Sequence, residues 1–331
     1  MNRTAFIYFA LMTIVLIAVG FFIYYYQQLQ INNKSIEESM YSEPSLPSYH
    51  FALIGEEMNH DYWRLVGNGA KKVELEFDVF VEYDAPKRSN GDEQLKLLDK
   101  AIQSKVDGII VQALDDTFTP MINKAVHEGI PVITIDTDSP QSERHAYIGT
   151  DNYTAGRLAG EALIADTKGQ ANVGIITGSL KNPQHQLRLK GFKDVVEKNK
   201  GIEIIAIEES NITRVEAEEK AYKMLMNYEN ITAFFGTSSY NGLGIVAAAE
   251  SLNIQEDMYV ITFDAIEENL ELLKKEKIDA IVEQQPFEMG KQSVRMMIDI
   301  LQSREIEEIY HTDSSIIRIT DLSGEQDVIN D

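Results

Sequence analysis

From His50 onward, short apolar runs alternate with longer stretches in which apolar residues return every three or four positions. The runs 50–55 (HFALIG), 77–83 (FDVFVEY), 108–112 (GIIVQ) and 131–135 (PVITI) read as strands. Helical segments fall between them at about 59–75, 91–104 and 117–128. In LKLLDKAI (95–102), for example, Leu95, Leu98 and Ile102 share one face of a helix. Strands that alternate with helices build a parallel, doubly wound sheet. The pattern then restarts. Strands are predicted at 172–177, 202–209, 231–237, 259–264 and 279–284, separated by helices at about 153–166, 186–199, 214–228, 240–251 and 266–275. The body is therefore two α/β lobes of similar size, with no internal repeat of short period.

The N-terminus breaks this pattern. Residues 5–26 carry no charge and, at about 1.5 Å per residue, span roughly 33 Å as a helix. A cleaved signal peptide is the alternative, but its apolar region runs to only about 7–15 residues and ends at small residues. This run is longer and ends in Tyr24-Tyr25-Tyr26-Gln27-Gln28, an aromatic belt. It reads as a transmembrane anchor over 5–27, with a cytoplasmic tip at 1–4. Arg3 on the short side, against Glu37 and Glu38 beyond the far end, places the body outside the cytoplasm. The polar residues 28–48, with Pro44 and Pro47, form a stalk.

Composition narrows the function classes. The chain has 331 residues, 44% of them hydrophobic and only 8 of them prolines, which favours a packed body in more than one domain. With 53 acidic against 30 basic residues the net charge is −23, which repels phosphate backbones and excludes nucleic acid as a partner. There is no cysteine, so disulfides, thiol catalysis, cysteine-ligated metals and a lipid-modified cysteine are all ruled out.

Candidate chemistry sits at strand ends. In open parallel sheets, ligands bind beyond the carboxyl ends of the strands. Polar clusters fall there at Asp136 to Ser139, Thr237 to Tyr240, and Asp264. Asp136 and Asp264 either cap the following helices or, as a matched pair on two lobes, border a shared cleft. Just after the first strand come His60, Tyr62 and Trp63, the only tryptophan. The two aromatic faces either staple the first helix or offer a platform for the C–H face of a sugar ring. Paired carboxylates accept from vicinal hydroxyls and arginines donate in a fork. Asp136, Asp138, Asp264, Arg188, Arg214, Gln284, Ser238 and Ser239 supply that set. The sequence has no G-x-S-x-G elbow, Walker loop or H-E-x-x-H motif, and its glycine pairs at 67–72 and 242–244 are too weak for a nucleotide. The set suits holding a polyol; glycosidase chemistry would need two carboxylates flanking one bond. No cofactor or metal is expected.

In this order and spacing, ALIGEEMNHDYW (52–63), GIPVITIDTDSP (129–140), YIGTDNYTAGRLAGE (147–161), RLKGF (188–192), FFGTSSYNGLG (234–244), VITFDA (260–265) and VEQQPFEMG (282–290) resemble the sugar-binding members of the type I periplasmic binding protein family. The likeness runs from about residue 50 to 320. It implies two Rossmann-like lobes joined by a three-strand hinge, which close on a sugar. The lobes would be 49–150 plus 285–313 and 151–284 plus 314–325. It also implies a ring stacked on Tyr62 and Trp63, with Asp136, Arg188, Asp264 and Gln284 on its hydroxyls. His60, beside Asn59, stands where the family has an asparagine. Thr137 replaces an arginine of ribose binders, and Ser238-Ser239 replaces an asparagine–aspartate pair, so the hydroxyl pattern being read is altered. Repressors that share these lobes carry a DNA-binding N-terminus, whose place is taken here by the anchor. The expected function is an extracytoplasmic sugar-binding protein. Its partner would be either the permease of an ABC importer or a membrane histidine kinase that reads the sugar.

Overall fold

The computed structural model describes residues 12, 16, 17, 19–30 and 47–322, except 256 and 257. The segment up to Pro47 and the body from Ser48 are separate units. Residues 19–30 of the first are helical. Among the described residues no helix is long and apolar enough to cross a membrane. The tip expected at 1–4 lies outside the described residues, as do 5–11, 13–15 and 18 of the expected anchor, 31–46 of the stalk and 323–325 of the second lobe.

The body begins with β1 (Tyr49–Ile54), α1 (Asp61–Phe77), β2 (Val79–Asp84), α2 (Gly91–Gln103) and β3 (Gly108–Val111). A 3₁₀ turn (Asp116–Phe118), α3 (Thr119–His127), β4 (Val132–Ile135) and β5 (Ala146–Thr150) complete this first pass. The chain then forms α4 (Asn152–Asp166), β6 (Ala171–Thr177), α5 (Pro183–Val196), β7 (Ile202–Glu209), α6 (Arg214–Asn227) and β8 (Ala233–Gly236). It continues through α7 (Ser239–Ser251), β9 (Tyr259–Phe263), α8 (Glu267–Lys274) and β10 (Ala280–Glu283). It returns with α9 (Pro286–Leu301), β11 (Ile309–Thr312), β12 (Ser315–Ile317) and α10 (Ile319–Leu322).

Two six-stranded sheets result, ordered β11-β5-β4-β3-β1-β2 and β12-β10-β9-β8-β6-β7. Pairing is parallel except between β10 and β12. Strands β3, β4 and β8 are buried at every position, because helices cover both faces of each sheet; hence their unbroken apolar runs. On one face of the first sheet Phe51, Leu53 and Ile133 pack with Val66 and Val73 of α1 and Met297 of α9. On the other, Ile109 and Val111 meet Leu98, Phe118 and Ile122. The second sheet repeats the plan, with Phe192 and Val196 on one face and Ala217, Ile245 and Leu273 on the other.

Differences from the predicted elements have local causes. The first helix begins at Asp61 rather than 59, since the His60 ring accepts from the Tyr62 amide and caps it. It runs on to Phe77, and Asp78 ends it in a left-handed conformation (φ 51°). Helix α5 starts at Pro183 instead of 186, with proline in its first turn. The pattern assigns no element to 146–150 or beyond 284, where the structure has β5, α9, β11 and β12. Strands β11 and β12 are short and partly polar, and they are ordered by pairing with β5 and β10.

Candidate ligand-binding cleft

The chain passes between the sheets at three places: Thr150 to Asn152, Glu283 to Pro286, and Thr312 to Ser315. Beside these crossings the carboxyl ends of the two sheets face one another across a cavity of about 50 Å³. From the first lobe it is lined by Glu56, Glu57, His60, Tyr62, Trp63 and Asp136; from the second by Gln184, His185, Arg188, Ile212, Ser238, Ser239, Asp264 and Gln284.

Asp136 and Asp264 occupy corresponding places, each following the fourth strand of its lobe, and both have left-handed backbones (φ 65° and 72°). Neither caps a helix; both carboxylates sit in hydrogen-bond networks. Asp136 accepts from Tyr62 Oη (2.7 Å), Gln112 Nε2 (2.9 Å) and Thr137 Oγ1 (3.1 Å). Asp264 accepts from Ser239 Oγ (2.5 Å) and Gln284 Nε2 (2.5 Å). Burial pushes the Asp136 carboxyl above its ordinary range, although the Arg188 charge and these donors oppose the shift. Burial likewise raises the carboxyl of Glu56, which takes Ser89 Oγ (2.6 Å) and Gln112 Nε2 (3.3 Å).

Arg188 is held in place by neutral groups. Its Nε donates to Asn152 Oδ1 (2.8 Å), Nη1 to the Thr237 carbonyl (2.8 Å) and Nη2 to Gln284 Oε1 (3.0 Å), and its guanidinium lies 4.1 Å from the centre of the Phe263 ring. Two of its five N–H groups remain for a ligand. Gln284 completes the hub: its Oε1 also accepts from Thr150 Oγ1 (2.7 Å), tying two crossings together. Helix α5 is placed by close backbone approach to α4. A Cβ on Gly156 would lie 2.1 Å from the Arg188 carbonyl, and one on Gly191 2.1 Å from that of Tyr153.

Of the predicted site residues, the structure brings together His60, Tyr62, Trp63, Asp136, Arg188, Ser238, Asp264 and Gln284. Three stand elsewhere. Arg214 is exposed at the start of α6, in an outer groove with Asp61, because the β7–α6 turn directs it away from the cavity. Asn59 is exposed in the loop before α1. Thr137 is buried behind Asp136, and its hydroxyl bonds Gln184 Oε1 of the other lobe (2.7 Å). Asp138, part of the polyol-holding set, is taken by Arg144 at 2.5 and 2.7 Å and shapes its turn. Sequence reasoning missed Glu56, Glu57, Gln184, His185 and Ile212. The glutamates directly follow the first strand, and Gln184 and His185 precede Arg188 by four and three residues on one helical face, so both pairs had a positional signal. Ile212 had none.

The cleft offers acceptors and a planar donor but no activated nucleophile. Ser239 donates to a carboxylate, while the imidazoles of His60 and His185 accept from the backbone amides of Tyr62 and Ser179. Among the described residues no cluster of histidines and carboxylates is arranged to hold a metal ion.

A family model described as the periplasmic binding protein domain matches residues 51–305. Among solved structures, GanP, a glucose-galactose binding protein from Geobacillus stearothermophilus, is 48% identical with a TM-score of 0.80, covering 83% of this chain and 98% of that one. XylFII in its complex with LytSN is 30% identical with a TM-score of 0.78, covering 82% and 98%. The ribose import binding protein RbsB of Bacillus subtilis (strain 168) is 25% identical over 222 residues, 66% of this chain and 71% of that protein.

Proposed function

The chain belongs to the periplasmic binding protein domain family, and from that premise we propose that it binds a sugar outside the cytoplasm and passes the molecule, or news of it, to a membrane partner. The observation that carries this reading is the cleft. Asp136 of one lobe and Asp264, Arg188 and Gln284 of the other converge on one cavity beside Tyr62 and Trp63, the arrangement expected for hydroxyls around an apolar ring face. The glucose-galactose binding of GanP at 48% identity supports a neutral monosaccharide. The lobes that close on it are 49–150 plus 285–313 and 151–284 plus 314–325, and Thr137 to Gln184 is one bond that closure makes.

The test is a thermal-unfolding screen of the full chain against D-glucose, D-galactose, D-ribose and D-allose, with Trp63 fluorescence as a second signal. A sugar at 100 times its dissociation constant should stabilise the fold by about 2.7 kcal/mol. The gain should vanish in Asp136→Ala and Arg188→Ala. A panel without a hit, or a hit that survives both substitutions, would sink the reading.

Two downstream uses follow from different observations. Likeness to an import binding protein favours delivery to an ABC permease. An uncharged run at 5–26 without a lipidation cysteine, together with a relative solved in complex with LytSN, favours a fixed partner in the membrane such as a sensor histidine kinase. Sugar-dependent co-purification of the full chain with one or the other membrane protein distinguishes them.

A further inference from the structure

Outside the cleft, α7 and α8 border a groove of about 520 Å³. Its floor is apolar. Leu243 and Val246 lie beneath it, 4% and 2% exposed, and Ala247 and Leu272 are half-buried along it. The short side chain of Ala247 leaves space that a longer residue would fill.

The rim is acidic, with Asp61, Glu250, Glu267, Glu268 and Glu271 against Arg214 and Lys275. Asp61 is paired with Arg64 (2.9 Å), Glu271 with Lys274 (3.0 Å) and Glu250 with Lys277. Glu267 and Glu268 have no hydrogen-bond or ion-pair partner among the described residues. They sit in the first turn of α8, where the helix dipole favours them, so alone they are an ordinary solvated helix end. The apolar floor beside them sets this end apart.

The groove is also shared between the lobes. Asp61 belongs to α1 of the first lobe and adjoins His60, whose ring meets Tyr240 at 4.7 Å. Tyr240, Leu243 and Ala247 follow one another on one face of α7, so the contact between the lobes continues into the groove. One turn along α1 from Asp61, Leu65 borders a smaller recess of about 150 Å³. Ala265 and Ile266 of the second lobe line it too, beside Phe287, which is 41% exposed. The seam between α1 and α8 thus has an apolar recess on either side.

We infer that this seam is the docking surface for the membrane partner. The occupant is an extracytoplasmic segment with apolar residues for the groove floor and lysines or arginines for Glu267 and Glu268. The inference rests on the reading of a sugar-binding protein with a membrane partner, and it names the surface and the chemistry of that partner. Charge selects the occupant: a second copy of this chain, at a net −23, would bring more carboxylates to an acidic rim. Opening the lobes withdraws Asp61 and Leu65 from the seam, so the partner engages the closed form. Sugar then strengthens docking, and by reciprocity docking strengthens sugar binding.

The test uses the full chain, which has no cysteine of its own. Lys275→Cys at the groove rim, or Lys200→Cys before β7 at the opposite end of the second lobe, is labelled with a benzophenone maleimide in membranes of the native host. Illumination follows, with and without D-glucose plus D-galactose. The label at 275 should join an integral membrane protein, through an extracytoplasmic segment that places apolar residues next to lysine or arginine. Product should rise at least about fivefold with sugar, the low end of allosteric coupling. The label at 200 should give none. Beside Lys275→Cys, either Glu267→Lys with Glu268→Lys, or Ala247→Gln, should cut the product at least about fivefold, through like-charge repulsion or a filled groove. Both should keep the sugar-induced gain in thermal stability. The inference is overturned by a product that ignores sugar, equals that from position 200, or survives both groove changes. Joining to a second copy or to an acidic segment overturns it as well, as does loss of the thermal gain in both groove variants. A parent chain without any sugar-induced gain fails the sugar reading first, whereas a parent that gains stability but gives no product sinks this inference alone.

Discussion

His185 shows how the cleft is tuned at the level of single residues. It lies in the first turn of α5, buried, with Nδ1 accepting from Ser179 N at 2.8 Å. Burial, helped by the Arg188 charge, lowers its pKa from 6.5 to about 3, so the ring is neutral at any physiological pH. A folded pKa below the unfolded one means that stability is complete above pH 6.5 and falls as pH drops through the window down to about 3. Asp136 and Glu56 act in the opposite sense. Their raised folded pKa values favour the fold at low pH, a contribution lost as pH rises through those values. The His185 contribution is therefore read as a difference. Chemical denaturation between pH 6.5 and 4 should show a shallower loss of stability in His185→Gln, whose carbonyl can still accept from Ser179, than in the parent. Parallel curves would mean that the folded imidazole is protonated after all.

Among the elements, the α4–α5 pair does most to place the site. Helix α5 carries Gln184, His185 and Arg188 on one face, and α4 presents Asn152, whose Oδ1 fixes Arg188 Nε. The two helices touch backbone to backbone through Gly156 and Gly191. A methyl at Gly156 meets the Arg188 carbonyl and has nowhere to go, because that neighbour is main chain. Gly156→Ala should cost about 1–3 kcal/mol of unfolding free energy, the usual range for overpacking, and also weaken sugar binding by moving Arg188. Urea denaturation beside a sugar titration checks both. Stability lost with affinity intact would show that this contact does not position the arginine.

Across the whole molecule, the lobes of the body meet directly as well as through their crossings. Thr137 bonds Gln184, and the His60 and Tyr240 rings lie 4.7 Å apart across the cleft mouth. Both contacts sit beside residues proposed to hold the ligand, so occupancy and closure are linked through the same side chains. The chain's net charge of −23 disfavours contact with anionic surfaces, so the proposed membrane attachment rests on the uncharged run at 5–26 alone. Full-length protein should stay in the membrane fraction through an alkaline carbonate wash, whereas a chain starting at residue 48 should be soluble. Release of the full-length protein by the wash would end the anchor reading.

The sequence alone determined the alternation of strands and helices, because burial of a sheet on both faces demands continuous apolar runs such as Ile109 to Val111 and Val132 to Ile135. It also marked the strand ends where Asp136 and Asp264 lie, since polar clusters there cannot belong to the core. It could not order β11 and β12, whose residues become strand by pairing with distant partners. Residue pattern by itself did not separate Arg188 from Arg214, and only the family resemblance favoured Arg188. Both are arginines in helices of the second lobe, and only tertiary packing turns one onto Phe263 and Gln284 and leaves the other in solvent. Ile212 is the sharpest case: an isoleucine in sequence predicts core or strand, and its place over the cleft follows from a left-handed turn that only the fold imposes.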